Sequence, residues 1–367
     1  MTEWKEGDGL MQAEFIWLDQ TLGEALRKDR VAFPAWLALK AKLAGLGKIL
    51  FDLPLEQLTA QSIRAELDPA DFRLETAPDP AQIERAFRLR CTRIKIPLNP
   101  ELFAKTGSAA YAAAFAMARR YGMEVTVHGL DIATLSAREI DFFQNVLSRY
   151  AIDYWVADDT RSRLDPLATQ RRLSDLQSLF PGRLEYWGRN AMGLAAGNAL
   201  GAAKSGVRRI AVAIGGYGGY PASEEVWMGL KHLLGFPINL PEQLAITCRE
   251  VLAMIGEGVP AAKPIIGTDI FAHESGIHVD GIIKKSELYE PFPPEEVGLT
   301  RRIVLGKHSG QAAVRYKLEE LNLPLGPAAF TRVLEKVRAL SVVQKGPVGD
   351  GQLRQLAREV ACEWIGD

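Results

Sequence analysis

Residues 152–188 read IDYWVADDTRSRLDPLATQRRLSDLQSLFPGRLEYWG. An apolar run from Ile152 to Ala157 gives way to an amphipathic stretch, and a second apolar run follows from Leu184 to Gly188. Between them Asp165 supplies the carboxylate of a helix N-cap and Pro166 fits the first helical position. Leu173, Leu176, Leu179 and Phe180 then fall on one helix face. A strand, a one-sided helix and a second strand make up the repeating unit of a parallel sheet.

The same alternation runs outward in both directions. Further strands are expected at Glu14 to Asp19, Lys48 to Leu53, Phe72 to Thr76, Thr92 to Pro97, Glu124 to Gly129 and Arg209 to Ile214. With the two above they make eight β/α units, which fits a closed (β/α)8 TIM barrel over residues 14–263 better than an open sheet. From Pro264 to Gly310 the chain turns rich in Gly, Pro and His without periodicity, a linker or lid segment. Residues 311–367 return to helical spacing: Leu318 and Leu321, then Phe330, Leu334 and Val337 after Pro327, then Leu353, Leu356 and Val360. This reads as a small helical C-terminal subdomain.

Composition narrows the function classes. The 367 residues are 47% hydrophobic and 24% charged, with 44 basic against 45 acidic side chains, so no global field draws the chain to nucleic acid or an anionic membrane. No apolar run reaches the length of a membrane span, and the first ten residues lack a signal-peptide core, which reads as cytoplasmic. Cys91, Cys248 and Cys362 are too scattered for a disulfide framework or a metal knuckle and read as core thiols.

Chemistry in such a barrel belongs to the carboxyl ends of the strands and the loops after them. That places Asp19 to Glu24, Asp158 to Thr160, Trp187, Arg189, Asn190 and Gly215 to Gly219 at the mouth, the acidic ones reading in the first place as helix caps or solvated loop charges. The linker carries HESGIHVDG at 273–281, then Tyr289, then LGKHSG at 305–310, and holds three of the five histidines. Composition alone allows a glycine-rich turn region; imidazoles gathered in one irregular segment also suit a lid that completes an active site.

This linker string resembles the family of homocitrate synthases, 2-isopropylmalate synthases and citramalate synthases, and the length is most similar to homocitrate synthase of the nitrogen-fixation type. The resemblance implies a Claisen condensation of acetyl-CoA with a 2-oxo acid on a divalent metal. The implied ligands are the Asp of a D-T-T-L-R-D-G-E motif on the first strand and two His of an H-x-H-N-D motif on the seventh. Those His lie two apart and so face the same side of the strand, and an Asn of an N-G-x-G motif after the eighth strand supports the site. It also implies a dimer in which the linker His and Tyr, here His278 and Tyr289, reach the neighbouring barrel.

The chain departs from these motifs at the mouth. The first reads Asp19-Gln-Thr-Leu-Gly-Glu24, without the catalytic Arg; the seventh-strand positions are Trp187 and Arg189; the Asn is Gly215; and Ile49-Leu-Phe-Asp52-Leu-Pro54 replaces an E-x-G-x-P string. Neither Trp nor Arg ligates a hard cation, so only Asp19 remains of the ligand set, and no metal or other cofactor is expected on this chain. Asp159-Thr160 keeps the pair near the oxo acid, so Thr160, Arg189 and Glu24 are the expected substrate contacts and His278 and Tyr289 the expected catalytic residues. Arg189 is expected to pair with Asp19 in the metal's place, the alternatives being solvent or Glu24. Three roles follow. The preferred one is a chain that is non-catalytic alone and lends its lid to an intact homologue within a dimer. The others are a regulatory protein that senses an acyl-CoA or carboxylate, and an enzyme with altered, metal-free chemistry.

Overall fold

Eight short strands hydrogen-bond in sequence order, all parallel, and the eighth returns to the first. The computed structural model describes residues 14–31, 35–58, 68–150, 152–274, 285, 288–323 and 325–363. The strands are β1 (Ile16–Asp19), β2 (Ile49–Pro54), β3 (Phe72–Glu75), β4 (Arg93–Pro97), β5 (Glu124–Asp131), β6 (Tyr154–Asp159), β7 (Leu184–Gly188) and β8 (Arg209–Val212). The closing pair sets Asp19 beside Val212. The (β/α)8 fold and all eight strands are therefore as read from the sequence, with ends moved by a residue or two. The largest irregularity is in β5, where the register shifts between His128 and Leu130. A Cβ on the intervening Gly129 would fall 2.5 Å from the Leu98 carbonyl oxygen, so the strand crosses there only because the residue is glycine.

The helices form where caps and apolar spacing coincide. Asp165 accepts from the Ala168 amide at 2.8 Å at the start of Pro166–Leu179, whose buried face holds Leu173 and Leu176. Leu179, expected on that face, is exposed, while Phe180, just past the helix, turns in. The first helix, α1 (Thr21–Arg27), packs so closely on β2 that a Cβ on Gly23 would lie 2.2 Å from the Asp52 carbonyl oxygen. Gly23 is required by that close approach.

The barrel interior is charged rather than apolar. Side chains two apart on a strand share a face, and the inward set includes Asp52 of β2, Arg73 and Glu75 of β3, Lys95 of β4, Glu124 and Thr126 of β5, Glu185 of β7 and Arg209 of β8. Arg73 shows that this face is the interior: from β3 it reaches Glu185 of β7 on the far wall at 2.7 Å. Its guanidinium also donates to Asp52 Oδ1 and Oδ2 at 2.6 and 2.9 Å and to Thr126 Oγ1 at 2.8 Å. Arg209 adds a second donor to Glu185 at 2.7 Å and reaches Glu124 at 3.0 Å. Arg73, Asp52 and Glu185 are fully buried, which is tolerable only because each charge is matched and hydrogen-bonded.

By its contacts the chain divides into two compact units, one of residues 1–241 and 247–259 and the other of residues 242–246 and 260–367. In the second, β9 (Ala272–His273) pairs in parallel with β10 (Arg302–Ile303). Helices Gln311–Glu320, Pro327–Gln344 and Asp350–Glu363 enclose a core of Val314, Leu318, Val333, Leu334, Val337, Leu353 and Val360. Leu321, Phe330 and Leu356 pack against it, so every apolar position named for the helical tail contributes. No described helix is long and apolar enough to cross a membrane.

Removing Arg73 would take from Asp52 and Glu185 the buried guanidinium that joins them, leaving Asp52 to Lys95 and Glu185 to Arg209. Arg73→Ala is expected to lower stability by about 3–5 kcal/mol, the usual cost of breaking a buried pair. Urea unfolding of the variant against the parent chain measures it.

Candidate functional site

The carboxyl ends of the strands open into a cavity of about 600 Å³ lined by Glu24, Arg27, Glu75, Gln82, Lys95, His128, Trp187, Arg189 and Tyr220, among others. Its floor is Lys95, only 3% exposed, whose Nζ donates to Glu75 Oε1 at 2.6 Å and Asp52 Oδ2 at 3.2 Å. The same ammonium lies 3.7 Å from the centroid of the Trp187 ring, a cation–π contact in a dry setting. Two further rings flank Trp187: His128 at 4.8 Å, itself 2.9 Å from Asp158 through Nε2, and Tyr220, edge-on at 5.7 Å. Above this floor Arg27 of α1 bridges Glu24 and Glu75.

Each residue expected at the site has a definite place. Asp19 is buried and turned to the backbone, accepting from the Leu22 amide at 3.0 Å. Burial pushes its carboxyl up to about 6, against the lowering effect of bonds from Leu22 and Thr21. Glu24 and Arg189 line the cavity, but Thr160 sits exposed in the turn after β6. Its neighbour Asp159 spends its carboxylate on the Arg163 and Leu164 amides, at 2.8 and 3.1 Å. Tyr289 belongs to the second unit and is 40% exposed. His278 lies outside the described residues.

The expected pairing of Arg189 with Asp19 is corrected. Arg189 donates to the Gly218 carbonyl at 2.9 Å and the Tyr220 hydroxyl at 2.8 Å, with its guanidinium 3.8 Å from the Tyr220 ring centroid. β7 ends at Gly188, so Arg189 lies past the strand alternation and turns to the glycine-rich loop after β8. In that loop Gly215, Gly216, Gly218 and Gly219 all take positive φ, from 64° to 78°, a path costly for any other residue. The Gly215 amide donates to Glu224 Oε2 at 3.0 Å, and a Cβ there would fall 2.7 Å from Leu252 Cδ1.

These positions do not fit the divalent cation that the linker resemblance implies. Trp187 and Gly215 offer no ligand atom, Arg189 is a cation, and the Lys95 ammonium lies against the Trp187 ring. Among the described residues no three His, Cys, Asp or Glu side chains are grouped to hold a metal ion.

The residues that dominate the mouth, Arg27, Glu75, Lys95, His128 and Tyr220, escaped the sequence reading. For Glu75, Lys95 and His128 a signal existed in three strands that carry charged or polar residues two apart: Arg73 with Glu75, Arg93 with Lys95, and Glu124 through Thr126 to His128. That spacing sets one polar face on strands whose other face is apolar.

Residues 265–345 match the family described as homocitrate synthase post-HMGL domain-like. The homocitrate synthase of Frankia alni is 33% identical over 323 residues, covering 82% of this chain and 92% of the relative. The 2-isopropylmalate synthase 2 of Caldanaerobacter subterraneus subsp. tengcongensis is 33% identical over 247 residues, and homocitrate synthase 1 of Nostoc sp. 36% over 247. Those two matches cover 66% and 65% of this chain but only 64% of each relative. Among solved structures, a hydroxymethylglutaryl-CoA lyase from Pseudomonas aeruginosa aligns with a TM-score of 0.55 at 15% identity, over 66% of this chain and 92% of that one, a likeness of fold. The relatives correct one expectation. Homocitrate and 2-isopropylmalate synthases are similar to this chain over 247 to 323 residues, more than the linker and helical tail together could supply, and the chemistry tied above to that resemblance uses a divalent metal and acetyl-CoA. The expectation of no bound cofactor therefore does not stand, and the residues at four mouth positions do not restore it.

Acid stability tests the charge network at the mouth. Burial opposes ionisation of Glu75, but Lys95 and Arg27 outweigh it and hold the carboxyl down to about 2. A carboxylate lowered on folding stabilises fully above its ordinary value, 4.5 here, and loses that stabilisation as pH falls toward the folded value. The urea midpoint is expected to drop between about pH 4.5 and 2, with a shallower drop in Glu75→Gln.

Proposed function

Because the chain belongs to the family of homocitrate and 2-isopropylmalate synthases, we propose that it is a family subunit whose own barrel does not condense acetyl-CoA with a 2-oxo acid when alone. It acts in the cytoplasm as one half of a dimer with an intact homologous chain. To that partner's site it lends the linker bearing His278, as acid or base, and Tyr289, as proton carrier or orienting hydroxyl. The observation that carries this reading is Lys95 on the face of Trp187, where the family's seventh-strand motif sets its first histidine. Preservation of the HESGIHVDG string and Tyr289 beside so altered a mouth supports the loan of the linker.

One observation also favours a retained ligand at this chain's own mouth. Arg27 and Lys95 are both paired with carboxylates, but Arg189 has none among the described ion pairs, and it lines the open cavity. A carboxylate ligand would give it one.

The reading is tested with the chain alone, supplied with divalent metal, acetyl-CoA and 2-oxoglutarate, and with the chain co-expressed beside an intact homologue. Release of free CoA is expected only from the mixed complex, and Tyr289→Phe in this chain is expected to slow the complex by roughly tenfold or more. Turnover by the chain alone overturns the first part. A Tyr289→Phe complex that assembles and turns over unchanged overturns the second.

A further inference from the structure

Tyr289 is exposed, yet the chain that carries it is anchored on its other side. Residues 289–294 read Tyr-Glu-Pro-Phe-Pro-Pro, and Glu290 and Phe292 each precede a proline, which steers both toward extended backbone. In extended chain successive side chains point to opposite sides. Burial follows that alternation, with Tyr289, Pro291 and Pro293 exposed and Glu290, Phe292 and Pro294 buried. Phe292 meets Phe271 edge to face, ring centroids 5.3 Å apart. Glu290 brings a carboxylate to the same side, where Arg301 Nε donates to Oε1 and Oε2 at 3.0 and 2.9 Å and Nη2 lies 2.8 Å from Oε2. His273 Nε2 stands 3.4 Å from Oε1. His273 is in β9 and Arg301 immediately precedes β10, its paired strand, so the carboxylate ties the Tyr289 segment to that ribbon. Arg301 Nη1 also reaches Glu295 Oε1 at 3.0 Å. A planar guanidinium meets a carboxylate in a narrow range of orientations, so this pair restricts the segment more than an apolar contact would. Every group named lies in one compact unit.

We propose that Glu290 is the positioning residue for Tyr289: clamped by Arg301 beside the β9–β10 ribbon, it fixes the backbone one residue away and so the line along which the Tyr289 hydroxyl is presented. The inference rests on the loan of Tyr289 proposed above and deepens it by naming what holds the hydroxyl ready. Glu290, buried on the side opposite Tyr289, acts only through that residue. Presentation matters because a misplacement of about 1 Å in a reacting group costs up to ~100-fold in rate. A hydroxyl on a swinging segment would be out of reach for most of its time.

The test uses the complex of this chain with an intact homologue, supplied with divalent metal, acetyl-CoA and 2-oxoglutarate, and reads kcat and KM from release of free CoA. Glu290→Gln is expected to lower kcat roughly tenfold, with KM for both substrates within about twofold of the parent. Arg301→Lys, which keeps the cation but loses the fork, is expected to lower kcat severalfold. The deciding measurement is the double variant of Tyr289→Phe with Glu290→Gln. With the hydroxyl gone its presentation counts for nothing, so the pair should turn over no more slowly than Tyr289→Phe alone. Losses that multiply mark a merely structural Glu290 and overturn the proposal. A parent kcat in an assembled Glu290→Gln complex, with Tyr289→Phe slow, overturns it too and leaves the loan standing. A parent rate in Tyr289→Phe removes the loan and the inference together. Where Glu290→Gln fails to assemble, the same cycle is run with Arg301→Lys and read by the same outcomes.

Discussion

A guanidinium at the centre of a closed barrel must be surrounded by anions, and Arg73 meets that demand by holding Asp52 of β2 and Glu185 of β7 together. From it a chain of paired charges runs in both directions. Toward one end Glu185 meets Arg209 and Arg209 meets Glu124; toward the mouth Asp52 meets Lys95, Lys95 meets Glu75, Glu75 meets Arg27 and Arg27 meets Glu24. Four cations alternate with five carboxylates, so replacing any member by an apolar residue takes one opposite charge from each of its neighbours. Desolvation works against the ionised form of every buried member, and the alternation overcomes it: Asp52 is held well below the usual carboxylate range and Arg73 above its own.

The mouth inherits its character from this chain. Because Asp52 and Glu75 both require a cation between β2 and β3, the Lys95 ammonium is fixed at the level where the strands end, and a ring beneath it is favourable. Trp187 supplies that ring and in turn packs against His128 and Tyr220. The substitutions that looked like separate losses, at the seventh strand and at Asp52 of the second, are thus parts of one electrostatic arrangement. Its mouth differs from that implied by the family motifs, while the barrel around it is the closed eight-stranded one that the resemblance implies.

What could be read from the sequence follows a physical divide. The strands and helices were legible because their outward faces obey simple periodicities, with explicit caps such as Asp165. The positions of Asp19, Trp187, Arg189 and Gly215 near the strand ends were legible because each motif sits at a fixed place in the β/α repeat. The charge chain was not, since it depends on contacts such as Arg73 with Glu185, which join strands on opposite walls. Period-two charges mark an inward polar face but do not say which cation meets which carboxylate. Arg189 was misread for a related reason: strand alternation was extended one residue past Gly188, where the backbone no longer follows it.

That misreading exposes how the barrel treats a carboxylate without a cation. Asp19 was expected to recruit Arg189, on the argument that an unpaired buried charge is costly. The cost is met in another way. The carboxylate accepts a backbone amide at the start of α1, and burial raises its pKa to about 6, so that the neutral form is within easy reach. A buried acid with no cation beside it has its carboxyl pushed up, whereas Asp52, which lies between Arg73 and Lys95, is held well below the usual carboxylate range. Two aspartates on adjacent strands have therefore taken opposite courses, and the difference is set by which one the charge chain includes. Arg189, released from Asp19, is left stacked on Tyr220 at the edge of the open cavity.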